Sequence, residues 1–192
     1  MPDPNQAAMK FLLTRRSRPF KTLGLPAPDR EALRPILTAA MRTPDHGKLE
    51  PWRLIVLEAP ALRRLADLVT ERGKALGKSD EDIAKPRLAY EVSPLAVAVI
   101  EVQQPSEKIP AIEMTYAAGA ACLALLNAAL ASGWGANWLS GWPSHDPGFG
   151  VEALGLAENE RIAGLIHIGT EKATPPDRPR PDIDAITTWV EA

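Results

Sequence analysis

Residues 110–132 read PAIEMTYAAGAACLALLNAALAS, and the fold turns on how this stretch is read. It is the longest helical segment in the sequence, closed by Gly133-Trp134-Gly135. Ala117, Ala118, Ala120, Ala121, Ala124, Ala128 and Ala129 leave it apolar nearly all round. A helix apolar on every side must be covered on every side. In a chain of 192 residues, a second subunit is a natural cover for the side that the core does not reach. A membrane span would need about 18 continuous apolar residues. Asn127 interrupts the run and its alanines are only weakly apolar, so a buried core helix is expected.

Outward from this helix the pattern alternates irregularly. Leu95 to Val102 is a continuous apolar run bounded by Pro94 and Gln103, which predicts a strand buried on both faces. Trp52 to Glu58 is β-rich and alternating, and Arg161 to Gly169 carries Ile162, Leu165, Ile166 and Ile168; both read as strands. Ala136 to Ser140 is a short strand candidate. Helices are predicted over 5–15, 29–42, 60–73, 79–90 and 147–154, with Pro35 implying a late start or a kink in the second and Pro86 lying inside the fourth. Because strands and helices do not alternate strictly, the order predicts an α+β fold with helices wrapped around a small sheet.

The bulk numbers bound the function. Hydrophobic residues make up 45% and charged residues 24%, as in an ordinary globular domain. A net charge of -2 offers no broad basic field for nucleic acid or an anionic membrane, so neither is expected as a partner. The single Cys122 excludes an internal disulfide and suits a reducing cytoplasm. Met1-Pro2-Asp3-Pro4 begins no basic and apolar leader, so no signal peptide is read. The three histidines have no zinc-like spacing with the cysteine, and no metal is expected. Adjacent Ser144-His145-Asp146 cannot fold onto one another as a catalytic triad. Pro175-Pro176 to Pro181 reads either as an extended tail laid on a surface or as a disordered end.

Two short stretches carry the chemistry. Arg15-Arg16-Ser17 closes the first predicted helix, and Arg42-Thr43-Pro44-Asp45-His46, with Glu50-Pro51-Trp52, follows the second. A pair of arginines at a helix C-terminus, standing alone, would only complement the helix dipole. A serine just beyond and a second Arg-containing helix end gather guanidinium forks and a hydroxyl, a set suited to an organic phosphate bearing a polar ring system. The glycines of Gly133-Trp134-Gly135-Ala136-Asn137-Trp138-Leu139-Ser140-Gly141 follow no strand and do not form a dinucleotide-binding turn.

In these segments the chain resembles the nitroreductase family of FMN-dependent NAD(P)H oxidoreductases, and within it the compact single-domain members. The resemblance implies a small, mostly antiparallel sheet in an intertwined homodimer with exchanged tails. It implies one FMN-binding domain over 1–174 and an extended Pro-rich tail over 175–192. By the same resemblance Arg15 and Arg16 reach the FMN phosphate and ribityl chain, and Ser17 contacts the flavin. Arg42 and His46 touch the flavin from across the dimer, Trp138, Leu139 and Ser140 lie under its ring, and Lys172 helps to hold the phosphate. No protein acid or base is implied, because FMN carries the chemistry. NADH or NADPH delivers a hydride to N5, and a nitroaromatic- or quinone-like acceptor takes it in a ping-pong cycle. The sequence departs from the family's usual pattern at Arg18, which follows the serine at once, at Glu50, where glutamine is frequent, and at Leu139, where arginine is frequent. The same arginines would also serve a flavin carrier, sensor or cofactor-processing protein with little turnover. A plain interaction protein dimerising through the long helix would bind no chromophore.

Overall fold

A computed structural model describes residues 3–191; Met1, Pro2 and Ala192, the outer ends of the leader, domain and tail readings above, lie outside the described residues. The chain orders itself as α1 (Gln6–Thr14), β1 (Leu23–Gly24), α2 (Arg30–Ala40), β2 (Trp52–Glu58), α3 (Ala59–Ala75), α4 (Asp80–Val92), β3 (Leu95–Val102), α5 (Ala111–Ala131), β4 (Gly135–Leu139), α6 (Trp142–His145), α7 (Pro147–Leu154), β5 (Glu160–Glu171) and α8 (Ile183–Ile186). The five strands form one antiparallel sheet, so the α+β expectation holds. β5 lies at its centre. β3 runs along one edge of β5 and leads on to β2, while β4 and β1 share the other edge, at Leu165–Gly169 and Thr170–Glu171.

Both faces of the sheet are covered. Ala96, Ala98 and Ile100 of β3 point to a core with Leu62, Leu65, Tyr90 and Phe149 from α3, α4 and α7. Leu95, Val97 and Val99 point the other way, to Ile36, Cys122, Leu125 and Ala129 from α2 and α5. A strand sandwiched between two helical layers has no face for polar residues, which is why β3 reads as an unbroken apolar run.

Two helices carry a proline in their interior. α2 runs unbroken through Pro35, and α4 runs through Pro86. Pro35 is exposed, so the carbonyl that loses its helical partner can turn to water. Asp29 and Ser79 cap the two helices, their side chains accepting from the N–H groups of Ala32 and Asp82, which anchors each start ahead of its proline. The tail is extended through residues 175–182 and then makes the single turn of α8, a departure from a wholly extended end. α5 is long and apolar enough to cross a membrane by length and composition alone, but it packs on α2, β3, β4 and β5 as a core helix does.

The meeting of β1, β4 and β5 demands a residue without a side chain. A Cβ built on Gly169 would lie 2.8 Å from the carbonyl oxygen of Gly24 and 2.8 Å from Cγ of Pro94. Neither neighbour is the free end of a flexible chain. Gly169→Ala is therefore expected to destabilise the protein by about 1–3 kcal/mol through overpacking. Chemical denaturation of the purified variant measures it, and an unchanged midpoint would mean that the strands separate freely here.

Candidate functional site

Past Thr14 the chain leaves α1 and runs extended beside β4. The Arg18 N–H donates to the Ala136 carbonyl at 2.8 Å, and Asn137 Nδ2 donates to the Arg18 carbonyl at 2.6 Å. The Arg15-Arg16-Ser17 triplet is thereby held against the start of the strand that carries Trp138 and Leu139. Each guanidinium has a different fate. Arg18 forms an ion pair with Glu171 at 2.8 Å, and its Nη1 donates to the Arg16 carbonyl. Arg16 Nε donates to the Pro176 carbonyl at 3.3 Å, tying the tail to this corner. Arg15 Nη2 donates to Ser17 Oγ at 3.1 Å, while its Nε is buried with no hydrogen-bond partner among the described residues.

Arg15 stands among like charges. Burial lowers its affinity for the proton, and the charges of Arg180, Arg16 and Arg18 lower it further. The Glu171 carboxyl is held below the ordinary carboxylate range, chiefly by Arg18. Glu171 is thus committed to Arg18, and Arg180 has Asp177 at 3.6 Å, so neither carboxylate is left for Arg15. A buried guanidinium N–H without a partner, amid surplus positive charge, is an arrangement that an anion completes. Lys172 follows Glu171, but its ammonium donates to the Leu25 carbonyl at 2.9 Å, along the flank of Gly24.

Trp138 lies across Gly164 of β5, where any Cβ would press on its indole. Trp138 is 36% exposed. Leu139 is half-buried, and Ser140 is exposed just past the strand's end.

Arg42 and His46 belong to a different corner. They lie on the loop between α2 and β2, which is tied by Asp45: its Oδ2 accepts from the N–H groups of Leu49 at 2.6 Å and Glu50 at 3.1 Å. Lys48 and Glu50 adopt φ of 55° and 48° within it, strained values for residues with side chains. His46 Nδ1 contacts Glu113 Oε2 of α5 at 2.7 Å. His46, Glu113, Tyr116 and Ala120 edge an open cavity of about 400 Å³. Arg42 is exposed and makes no ion pair among the described residues. Glu113 is in the first turn of α5, whereas β4 starts beyond its last turn, with the Trp134 N–H bonded to the Ala129 carbonyl. At 1.5 Å per residue the helix between Glu113 and Ala129 spans roughly 24 Å. Within one chain the two sequence-marked segments are therefore kept apart.

The start of α5 is fixed by a buried carboxylate. Glu101 is 2% exposed and accepts two hydrogen bonds from Arg161, at 2.7 and 2.8 Å, one from Thr115 Oγ1 at 2.9 Å, and one from Gln103. Burial alone would raise its pKa, but these donors win and hold it below the ordinary value of 4.5. A carboxylate with a depressed folded pKa stabilises the fold above its unfolded pKa, and that stability is lost as pH falls through the folded value. Wild-type stability is expected to decline below about pH 4.5, and more shallowly in Glu101→Gln. Denaturation midpoints between about pH 5 and 3 test this; parallel curves for the two proteins would remove Glu101 from the acid limb.

Arg180, Glu171, Glu113 and Glu101 are contributors that sequence reading does not single out. Arg180 left one available signal, a cation between two prolines in the tail. The three glutamates left none, because each gains its role from a partner at least 14 residues away.

A sequence profile described as the Nitroreductase family matches residues 12–170. A protein of Escherichia coli strain K12 named as a proposed NAD(P)H nitroreductase, YdjA, is 36% identical over 163 residues, covering 85% of this chain and 87% of that protein. A protein of Haemophilus influenzae, also named as a proposed NAD(P)H nitroreductase, is 37% identical over 171 residues, covering 86% and 90%. The crystal structure of a nitroreductase-like family protein from Bacillus cereus superposes with a TM-score of 0.75 at 24% identity, over the whole of both chains. A nitroreductase-type protein from Desulfovibrio desulfuricans, crystallised in complex with FMN, superposes at 0.74 with 21% identity, also over the whole of both chains.

Proposed function

The chain belongs to the nitroreductase family, and from that premise we propose that it is an FMN-dependent NAD(P)H oxidoreductase working as a homodimer with shared sites. The observation that carries this reading is the Arg15 guanidinium, buried at Nε without a partner and crowded by Arg16, Arg18 and Arg180. That donor set fits a phosphate. Arg15 and Arg16 hold the phosphate and ribityl chain of FMN, with Lys172 as a further cation, and Ser17 reaches the flavin. Trp138, Leu139 and Ser140 support its ring. A flavin ring also suits the partly exposed Trp138.

The second copy follows from what one chain leaves uncovered. On α5, Ile112, Tyr116 and Leu123 are 51%, 67% and 44% exposed and fall on one stripe with Gly119, Ala120 and Asn127. On α1, Met9, Leu12 and Leu13 are exposed as well. Apolar stripes of this extent are interface surfaces. The Gly119 position opens on empty space, which allows another helix to come close. Two copies of α5 related by a two-fold axis perpendicular to the helix run antiparallel. The N-terminal end of one then lies beside the C-terminal end of the other. Arg42 and His46 of one protomer are thus brought to the Arg15 and β4 corner of its partner, across the length that separates them within a chain.

FMN bound there supplies hydride transfer from NADH or NADPH to a nitroaromatic- or quinone-like acceptor, one substrate replacing the other in a ping-pong cycle. Arg42 adds positive charge that favours the reduced anionic cofactor, one of the few controls a protein has over flavin potential. Glu113 steadies His46, which offers the ring a hydrogen bond. The same reading makes the protein a soluble one of the cytoplasm with no nucleic-acid or membrane partner.

A visible spectrum of the purified protein, before and after NADPH, tests the assignment. Two flavin bands that bleach and return with a quinone are expected. Bands that resist both NADPH and NADH would turn the reading to a flavin carrier or sensor, and no bands after incubation with FMN and gel filtration would sink it.

A further inference from the structure

A separate cavity of about 210 Å³ lies behind β4, between that strand and α4. Phe20, Pro86, Trp142 and Leu165 give it apolar walls. Two buried polar side chains, His167 and Tyr90, also line it, and Lys85 stands exposed at its edge. Trp142 is held in place by donation from Nε1 to the Asp82 carbonyl at 3.1 Å.

The protonation of His167 follows from its neighbours. The Ser93 hydroxyl donates to the Ala89 carbonyl at 2.7 Å, which uses its one proton. Ser93 Oγ must therefore accept from His167 Nδ1, 2.7 Å away, so the ring proton is on Nδ1. Burial pushes the His167 pKa down to about 4, so the ring is neutral at ordinary pH. Nε2 is left as a bare acceptor with no partner among the described residues, on a side chain only 1% exposed. Tyr90 is 4% exposed, stands edge-on to His167 with ring centroids 6.3 Å apart, and its hydroxyl also has no partner among the described residues. Burial pushes that hydroxyl well above the usual phenol range, so it stays protonated. His167 Nε2 and the Tyr90 hydroxyl are not sealed from solvent, and two such groups without protein partners lining one ring-sized cavity suit a ligand that pairs with both in place of water.

We propose that this cavity binds a small aromatic acid bearing a phenolic hydroxyl. The ring lies between the apolar walls, the ligand hydroxyl donates to His167 Nε2 and accepts from the Tyr90 hydroxyl, and its carboxylate meets the Lys85 ammonium at the mouth. Size is consistent: an apolar cavity of about 150 Å³ holds benzene, so one of this volume has room for a ring with two polar substituents. The site does not rest on the flavin reading. Its polar partners are His167, Tyr90 and Lys85, none of which the flavin reading uses, although Leu139 and Ser140 of that reading border the cavity as well.

The probe is 4-hydroxybenzoate, titrated calorimetrically into the purified protein as isolated, with benzoate as the analogue lacking the donor. Saturable binding is expected, with benzoate at least about tenfold weaker, the effect of one lost hydrogen bond to a buried acceptor. Tyr90→Phe, which removes one oxygen and keeps the ring packing, and His167→Phe should each weaken 4-hydroxybenzoate by a similar factor. Lys85→Ala should weaken both ligands severalfold and reduce the salt dependence. No saturable heat up to about 10 mM would overturn the proposal and leave the cavity to ordered water. Equal affinity for benzoate, or unchanged affinity in both Tyr90→Phe and His167→Phe, would overturn it as well. A protein without flavin bands that still binds the probe would sink the flavin reading alone.

Discussion

Arg15→Ala is expected to emerge from gel filtration largely stripped of FMN. Removing a charged hydrogen-bonding partner costs about 1.5–3 kcal/mol, which corresponds to roughly 10- to 150-fold in affinity. Arg15 is the residue to test because its neighbours have other commitments. Arg18 is paired with Glu171, Arg16 Nε is spent on Pro176, and the Lys172 ammonium is turned to Leu25. Arg15 Nε is buried with no hydrogen-bond partner among the described residues, and unlike Arg18 it has no carboxylate in ion-pair range there. Arg16→Ala should show the same loss in weaker form, because its side chain already donates to the tail. Arg15→Lys should restore charge but not full retention, since a point charge cannot reproduce a two-pronged guanidinium contact. The ratio of flavin to protein absorbance after dialysis reads the result. Full retention by Arg15→Ala would place the phosphate elsewhere.

The second large effect is expected from Leu123→Glu, which lies far from every phosphate donor. Leu123 is 44% exposed in one chain and sits on the uncovered stripe of α5. In an isolated protomer a glutamate there would face water and cost little. In a two-fold dimer the substitution buries two unpaired carboxylates, each worth several kcal/mol against association. The variant should sediment as a monomer and lose FMN although Arg15, Arg16 and Ser17 are intact, because Arg42 and His46 of the second copy no longer reach the site. A Leu123→Glu protein that remains dimeric, or a monomer that retains full flavin, would contradict the shared-site reading. Cys122, the adjacent residue, faces the other way and is fully buried; burial pushes its thiol up to about 12, so it is a packing residue and no reactive group.

The same helix shows why so much was legible in the sequence. Its alanine-rich composition announced burial on every side, and the structure covers the side of Ala121, Cys122 and Leu125 with the sheet while leaving Tyr116 and Leu123 open. β3 was legible for the same reason, since a strand between two helical layers admits only apolar residues. Helix interruptions were not. Pro35 reads as a late start or a kink because the local rule is strong, yet its exposure and a good cap upstream let α2 start at Arg30, and α4 likewise holds Pro86. β1 is two residues long and exists only because β5 offers it an edge, so no local pattern could reveal it.

Local chemistry and periodicity are written along the chain, and they determined the α+β class, the buried helix and the two arginine-bearing helix ends as places to look. Tertiary structure decided which of those residues meet. It set Arg15, Arg16 and Ser17 against β4, turned Lys172 toward Leu25, added Arg180 from the far end of the chain, and kept Arg42 and His46 at the opposite end of α5. The physical reason is that a guanidinium's partner, and hence its freedom to bind an anion, depends on which distant segment the fold delivers to it. Glu171, 153 positions along the chain, reaches Arg18 and leaves Arg15 without a carboxylate among the described residues.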